Sequence, residues 1–218
     1  MTGAPTLPAA ICWDMDGTLI DSEYAWEVCE QELAREAGVT WTSAQAREVF
    51  GTPLINTARE LVAAGVRGDP EVIAQVLTER VAAHHAEGPH WLPGSRELLR
   101  LVADAGVPCA LVSSSYRPLI DPVLAVAPIA FAASVAGDEV ARAKPHPEPY
   151  LTAASALGVE PARCVVVEDS VSGATAGRDA GMRVIAVPSD AADREAFEAL
   201  GVEVVASLAE IDLELLTR

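Results

Sequence analysis

An apolar run from Ala9 to Trp13 stops abruptly at two carboxylates, Asp14 and Asp16, with Gly17 and Thr18 directly behind them. A short apolar run bounded by turn chemistry reads as a buried strand, which places Asp14 at that strand's carboxyl end. In open α/β sheets this rim is where ligands bind. The two acids are close enough to share one cation or one phosphoryl group. Gly17 lets backbone N–H groups approach an anion with no Cβ in the way.

Behind this strand the pattern is helical alone. Ser22 is expected to cap a helix to about Ala37, closed by Gly38, and Thr42 or Ser43 a short helix to Phe50, closed by Gly51. Pro53 to Ala64 forms a third, ended by Gly65, and Asp69-Pro70 opens a fourth that runs to about Glu87 ahead of Gly88. From Leu92 the chain alternates, with strands expected at 107–112, 129–135, 164–167 and 183–187, helices between them, and a last helix–strand–helix over 193–217. Strands alternating with helices of this length indicate βαβ units. The fold class is therefore α/β: a doubly wound, Rossmann-like parallel sheet over 1–19 and 92–218, with a helical cap domain, 20–91, inserted after the first strand.

Three further polar stations follow predicted strands. Ser113-Ser114-Ser115 offers a hydroxyl and the next backbone N–H to a phosphate oxygen. Lys144 sits in the Pro-rich loop Ala143-Lys144-Pro145-His146-Pro147, where the prolines fix the backbone. Glu168-Asp169-Ser170 ends the run Val165-Val166-Val167 and opens a helix of small residues. Asp169, Asp14 and the Asp16 carbonyl make a hard-oxygen set suited to Mg²⁺, with Glu168 a further ligand or a support behind the ligands.

Asp14-x-Asp16-Gly17-Thr18-x-x-Asp21-Ser22 resembles the first motif of the haloacid dehalogenase-like phosphatases. Ser113, the Lys144-Pro-x-Pro loop and Glu168-Asp169 resemble the second, third and fourth, in the family's order. The resemblance implies a Mg²⁺-dependent phosphomonoester hydrolase. Asp14 is then the nucleophile and Asp16 the general acid and base. Ser113, Ser114, Gly17 and Lys144 bind the phosphoryl group, and Asp14, Asp16, Asp169 and Glu168 serve the metal. Asp16 disfavours the dehalogenases, which lack the second acid. A phosphosugar mutase like β-phosphoglucomutase is the nearest rival. Thr18, where such mutases tend to carry Val, and the Arg-free loop Gly51-Thr52-Pro53-Leu54 lean away from it. A non-catalytic phosphate-binding protein would more naturally have lost one of the four stations.

The charge balance of 15 basic against 32 acidic residues, −17 in 218, repels nucleic acid and anionic lipid. It also requires that any phosphate site be made attractive locally, by a metal or a placed Lys. The expected partner is a small phosphorylated metabolite, with neither nucleic acid nor membrane, and the chain is expected to be a monomer or weak homodimer. Met1 to Pro8 lacks the pattern of a signal peptide. The most apolar stretch, Pro118 to Gly137, contains Asp121 and three prolines. Cys12, Cys29, Cys109 and Cys164 show no C-x-x-C spacing and are expected to be buried thiols of a cytoplasmic protein. His84, His85 and His90 are read as surface residues, Trp26 and Trp41 as packing residues, and Gly137-Asp138-Glu139 as a turn. Glu23 or Tyr24 is placed to face substrate.

Overall fold

A computed structural model describes residues 6–49, 52–189 and 191–217. Six parallel strands, β1 (Ala10–Trp13), β2 (Cys109–Val112), β3 (Ala133–Val135), β4 (Cys164–Glu168), β5 (Arg183–Ala186) and β6 (Glu203–Val204), form one sheet in the order β3-β2-β1-β4-β5-β6. The first strand is therefore central, with Ile11 in register with Cys109 on one side and Val165 on the other. The strand order reverses beside β1, and the crevice at such a switch point lies at the carboxyl ends of the strands.

Side chains alternate across β1. Ile11 and Trp13 join the apolar layer that α5 (Ser95–Asp104), α6 (Arg117–Val126) and α10 (Leu213–Leu216) cover. Ala10 and Cys12 join the layer under α7 (Glu148–Leu157), α8 (Val171–Asp179) and α9 (Arg194–Leu200). All four cysteines are buried free thiols. Burial on both faces is why β2 and β4 read as unbroken apolar runs rather than alternating ones.

Between β1 and β2 lie α1 (Ser22–Glu36), α2 (Ser43–Val49), α3 (Leu54–Ala64) and α4 (Pro70–Glu87). They bury a separate apolar cluster that includes Cys29, Leu33, Leu61, Leu77 and Val81, and Leu119 of α6 reaches into it. The two chain crossings to this unit run side by side and antiparallel. Asp21 N donates to His90 O at 2.8 Å, Leu92 N donates to Leu19 O at 2.9 Å, and Ile20 bridges Trp91.

Several boundaries differ from those expected. Asp21, not Ser22, caps α1: its carboxylate accepts from Tyr24 N at 3.1 Å, while Ser22 is the first helical residue and buried. Strand β3 begins at Ala133 rather than Ile129, because sheet pairing starts where Ala132 N donates to Cys109 O and the stretch behind Pro128 packs without pairing. The expected end of the second helix at Phe50 and its closing Gly51 lie outside the described residues. His85 is not a surface residue: it is 1 % exposed, with Nδ1 3.3 Å from Leu119 O, and burial holds its pKa below the usual imidazole range. Among the described residues no helix is long and apolar enough to cross a membrane.

Candidate active site

Three of the four polar stations stand at strand ends on one rim of the sheet, and Lys144 reaches that rim from the loop between β3 and α7. Asp14 N donates to Val167 O at 3.0 Å, carrying the β1–β4 ladder one residue past the strand and fixing where its side chain emerges. The chain then turns through Gly17, whose φ of +80° suits glycine, and Gly17 N donates to Ile20 O at 2.9 Å. Ser113 N donates to Val135 O at 3.1 Å, doing the same for β2 and β3. Asp169 follows β4 directly, and Ser170 Oγ caps α8 by accepting from Gly173 N at 3.0 Å.

Lys144 links these stations. Its Nζ donates to Asp14 Oδ1 at 2.6 Å, to Glu168 Oε1 at 2.6 Å and to Val112 O at 3.0 Å, and its side chain is 4 % exposed. The Tyr150 ring adds a cation–π contact, with its centroid 5.0 Å from Nζ. Burial alone would lower the pKa of Lys144. The charges of Asp14 and Glu168 outweigh it and hold the ammonium above its ordinary range.

The balance of charge around that ammonium is negative. Asp14, Glu168 and Asp169 surround Lys144, and the Asp16 charge acts on Asp14. Burial, and after it the Glu168 charge, pushes Asp14 well above the usual carboxylate range. The same two causes, in the same order, push Asp169 up to about 6. Asp14, Glu168 and Asp169 present carboxylate oxygens within 4.8 Å of one another. Three carboxylates so close are relieved by a bound proton or by more positive charge than Lys144 supplies.

Their lone pairs show which of them can serve a cation. Glu168, fully buried, accepts from Lys144 Nζ and from Tyr150 OH at 2.9 Å on Oε1, and from Ser170 N and Ser170 Oγ, both at 2.9 Å, on Oε2. A carboxylate has about four acceptor positions, and these four bonds fill them. With these bonds Glu168 orients Lys144, the support role behind the ligands that the sequence allows, while its oxygens still stand in the carboxylate cluster with Asp14 and Asp169. Asp14 Oδ2, in contrast, is buried with no hydrogen-bond partner, and an orphaned buried carboxylate oxygen needs a partner. Asp169 accepts from Thr18 Oγ1 at 3.2 Å on Oδ1. Asp14 Oδ2 and Asp169 thus fit a divalent cation that binds hard oxygens.

Asp16 is held differently. Its Oδ2 accepts from Ser113 Oγ at 2.7 Å and from Ser115 Oγ at 2.9 Å, while Ser115 N donates back to Ser113 Oγ at 2.9 Å. The Ser113 hydroxyl, expected on phosphate, is spent here on Asp16, while Ser114 is exposed. Two clefts open on either side of Asp16. One, of about 760 Å³, is bounded by Gly17, Glu23, Asp169 and Ser189; the other, of about 520 Å³, lies between Asp16 and the inserted helices.

The rim therefore gathers Asp14, Asp16, Gly17, Ser113, Lys144, Glu168 and Asp169. Glu23 borders the first cleft, while Tyr24 stacks edge-on against His84 and His90. Trp41 and Trp26 both pack in the apolar cluster of the inserted helices, and Trp26 also lines the second cleft. Gly137-Asp138-Glu139 is a short 3₁₀ turn tied by both acids to Arg117. Sequence reasoning missed Ser115, Tyr150 and the hold of Thr18 on Asp169. Thr18 and Ser115 stood inside recognised motifs, but nothing in the spacing of Tyr150 separates it from a core aromatic.

Residues 11–187 match the family model for haloacid dehalogenase-like hydrolases. Hexitol phosphatase B of Escherichia coli K12 is 31% identical over 208 residues, which covers 93% of each chain. A Thermotoga maritima structure, provisionally described as a β-phosphoglucomutase, superposes with a TM-score of 0.83 at 29% identity, over 95% of this chain and 97% of that one. The structure of CbbY from Rhodobacter sphaeroides in complex with phosphate does so with a TM-score of 0.74 at 29% identity, over 94% and 96%. With its sheet order, its four polar stations and a match across most of its length, the chain belongs to the haloacid dehalogenase-like hydrolase family.

Proposed function

We propose that this enzyme is a Mg²⁺-dependent phosphatase that hydrolyses a small phosphomonoester, a sugar phosphate or similar metabolite, through an aspartyl-phosphate on Asp14. The observation that carries this reading is the state of Asp14: one oxygen on the Lys144 ammonium, the other buried without a partner. Such a carboxylate is positioned and partly desolvated, as a nucleophile must be. Asp14 and Asp169 would hold the ion, which when bound supplies positive charge for the transferring phosphoryl oxygens.

An oxygen of Asp14 attacks phosphorus, and the bond from phosphorus to the ester oxygen breaks. Asp16, in its protonated form, gives its proton to that departing oxygen. Asp16, now a carboxylate, takes a proton from water, whose oxygen attacks the phosphorus of the aspartyl-phosphate. Inorganic phosphate leaves and Asp14 is regenerated. The hydroxyls of Ser113 and Ser115 keep Asp16 on one side of the cleft throughout. Lys144 sits where it offsets charge on the phosphoryl oxygens, and Glu168 and Tyr150 keep it there. Residues 20–91 act as a cap over a core of 1–19 and 92–218, excluding water during the transfer. The name of the hexitol phosphatase relative agrees with a hydroxyl-rich substrate.

Colorimetric phosphate release across a panel of metabolite monoesters, with and without EDTA, tests this reading. Asp14→Asn is expected to lower turnover by about 10³-fold or more, and acid-quenched wild type to carry label from a phosphorus-labelled substrate. Undiminished turnover by the Asn variant would remove Asp14 as nucleophile.

A further inference from the structure

The cleft between Asp16 and the inserted helices contains a second buried carboxylate. Glu30 of α1 is 4 % exposed. Its Oε2 accepts from Trp41 Nε1 at 2.9 Å, and its Oε1 has no hydrogen-bond partner among the described residues. The cleft extends from Asp16 and Ser114 at the sheet rim to Glu30, Trp26 and Thr57 on α1 and α3. Its volume, about 520 Å³, is that of a small-ligand pocket. No Lys, Arg or His lines it among the described residues.

Glu30 thus has one oxygen held by an indole N–H and the other free to accept, on a side chain that lines the cleft. Isolated in the cap core it would find an apolar replacement; at the wall of a cleft it can accept a hydrogen bond from whatever enters. Besides the water that cleaves the aspartyl-phosphate, the chemistry on Asp14 requires room for the departing half of the ester. We propose that Glu30 is the specificity-determining residue for this leaving group. Its Oε1 accepts a hydrogen bond from a hydroxyl of an uncharged, polyhydroxylated monoester, and Trp41 positions it. The inference rests on the phosphatase reading and deepens it.

Three features support that class of ligand. A hydroxyl donor completes Glu30, and binding sites that hydrogen-bond a substrate hydroxyl reject analogues lacking it far more strongly than apolar pockets discriminate by size. Trp26 offers an aromatic wall beside Glu30 for the C–H face of a carbohydrate. A second phosphate on the leaving group would enter a cation-free space between Asp16 and Glu30, and like charges in a partly desolvated cleft repel strongly. The cleft therefore favours a single-phosphate ester.

The test compares kcat/KM for three substrates: a hexitol or hexose monophosphate, a sugar bisphosphate, and p-nitrophenyl phosphate, whose leaving group carries no further hydroxyl. Wild type, Glu30→Gln, Glu30→Leu and Trp41→Phe are compared, each checked for folding by its melting transition. In Glu30→Leu the kcat/KM for the polyol ester is expected to fall at least tenfold relative to p-nitrophenyl phosphate, chiefly through KM. Trp41→Phe is expected to give a smaller fall in the same ratio. Glu30→Gln should raise bisphosphate turnover relative to monophosphate several-fold, since it removes charge and keeps shape. Unchanged ratios in folded Glu30→Leu and Glu30→Gln would overturn the assignment while leaving phosphatase activity standing. Failure of wild type to release phosphate from any of the three, p-nitrophenyl phosphate included, would overturn the phosphatase reading and this inference with it.

Discussion

Gly17 and Asp169 meet so closely that no side chain fits between them: a Cβ at position 17 would lie 2.2 Å from Asp169 Oδ2. The φ of +80° there adds a backbone penalty for any other residue. Because Asp169 is 8 % exposed and tied to Thr18, it has little room to retreat. Gly17→Ala is expected to cost about 1–3 kcal/mol of stability and to weaken apparent Mg²⁺ affinity about 10-fold or more. Denaturant titration and Mg²⁺-dependent phosphate release measure the two effects separately.

Glu168 is expected to matter through Lys144. Glu168→Gln keeps the shape but places an NH₂ against donors on one side, either Lys144 and Tyr150 or Ser170. Removing one partner of a buried pair costs about 3–5 kcal/mol when the remaining charge is uncompensated. Asp14 still faces Lys144, so a loss of about 2–3 kcal/mol is expected, with kcat lowered about 10–100-fold. Tyr150→Phe, which removes one of the four bonds to Glu168, should cost about 1 kcal/mol and lower kcat by a smaller factor. Equal kcat losses in both variants would contradict this ordering.

Ser115 and Ser113 share one oxygen of Asp16. Ser115→Ala leaves Ser113 in place, so Asp16 is looser but still held. The expected result is a fall in kcat of about 3–10-fold with KM little changed, because the bond positions a proton-transfer group. The double variant Ser113→Ala/Ser115→Ala should lose more than the product of the single effects, since both hydroxyls donate to the same oxygen of Asp16 and either alone can still hold it. Steady-state kinetics on the three variants decides this.

Glu30 also sets a pH dependence of stability. Burial pushes its pKa from about 4.5 up to about 7; the Trp41 N–H pulls the other way and the Glu27 charge adds to the rise. Glu23 and Arg47 border the crevice on its far side. The folded chain keeps a proton that the unfolded chain has released, so this residue lowers stability as pH rises from about 4.5 to 7, and the loss is complete above 7. Glu30→Gln should remove that slope, adding about 2 kcal/mol at pH 8 and little at pH 4.5. Melting curves of both chains across this range check the sign.

Much of the rim was legible from β1 outward. Asp14 and Asp169 announce themselves because a carboxylate at the end of an apolar strand is expensive without a partner, and Lys144 because prolines fix the loop that carries it. Residues that work by holding others were harder to see. Tyr150 is a helical aromatic in a buried stripe, and only its distance to Glu168 Oε1 gives it a task. Glu30 lies on a helix rich in acids, where a single buried one has no distinct spacing. Of the four bonds that fix Glu168, two come from the nearby Ser170, but the other two come from Lys144 and Tyr150, in separate segments that no local pattern links to it. His85 was misread for a related reason: its exposure is decided by α6 packing over α4, a contact between elements far apart in the chain.

The paired crossings at Ile20 and Trp91 carry a mechanical consequence. A body hung on one strap can twist and swing freely; hung on two straps laced side by side, it is left mainly with a single hinge axis. If the inserted helices close over the rim as proposed, each closure would return Trp26, Glu30 and Thr57 to the same station above Asp16, and selectivity could be repeated from turnover to turnover without a rigid lid.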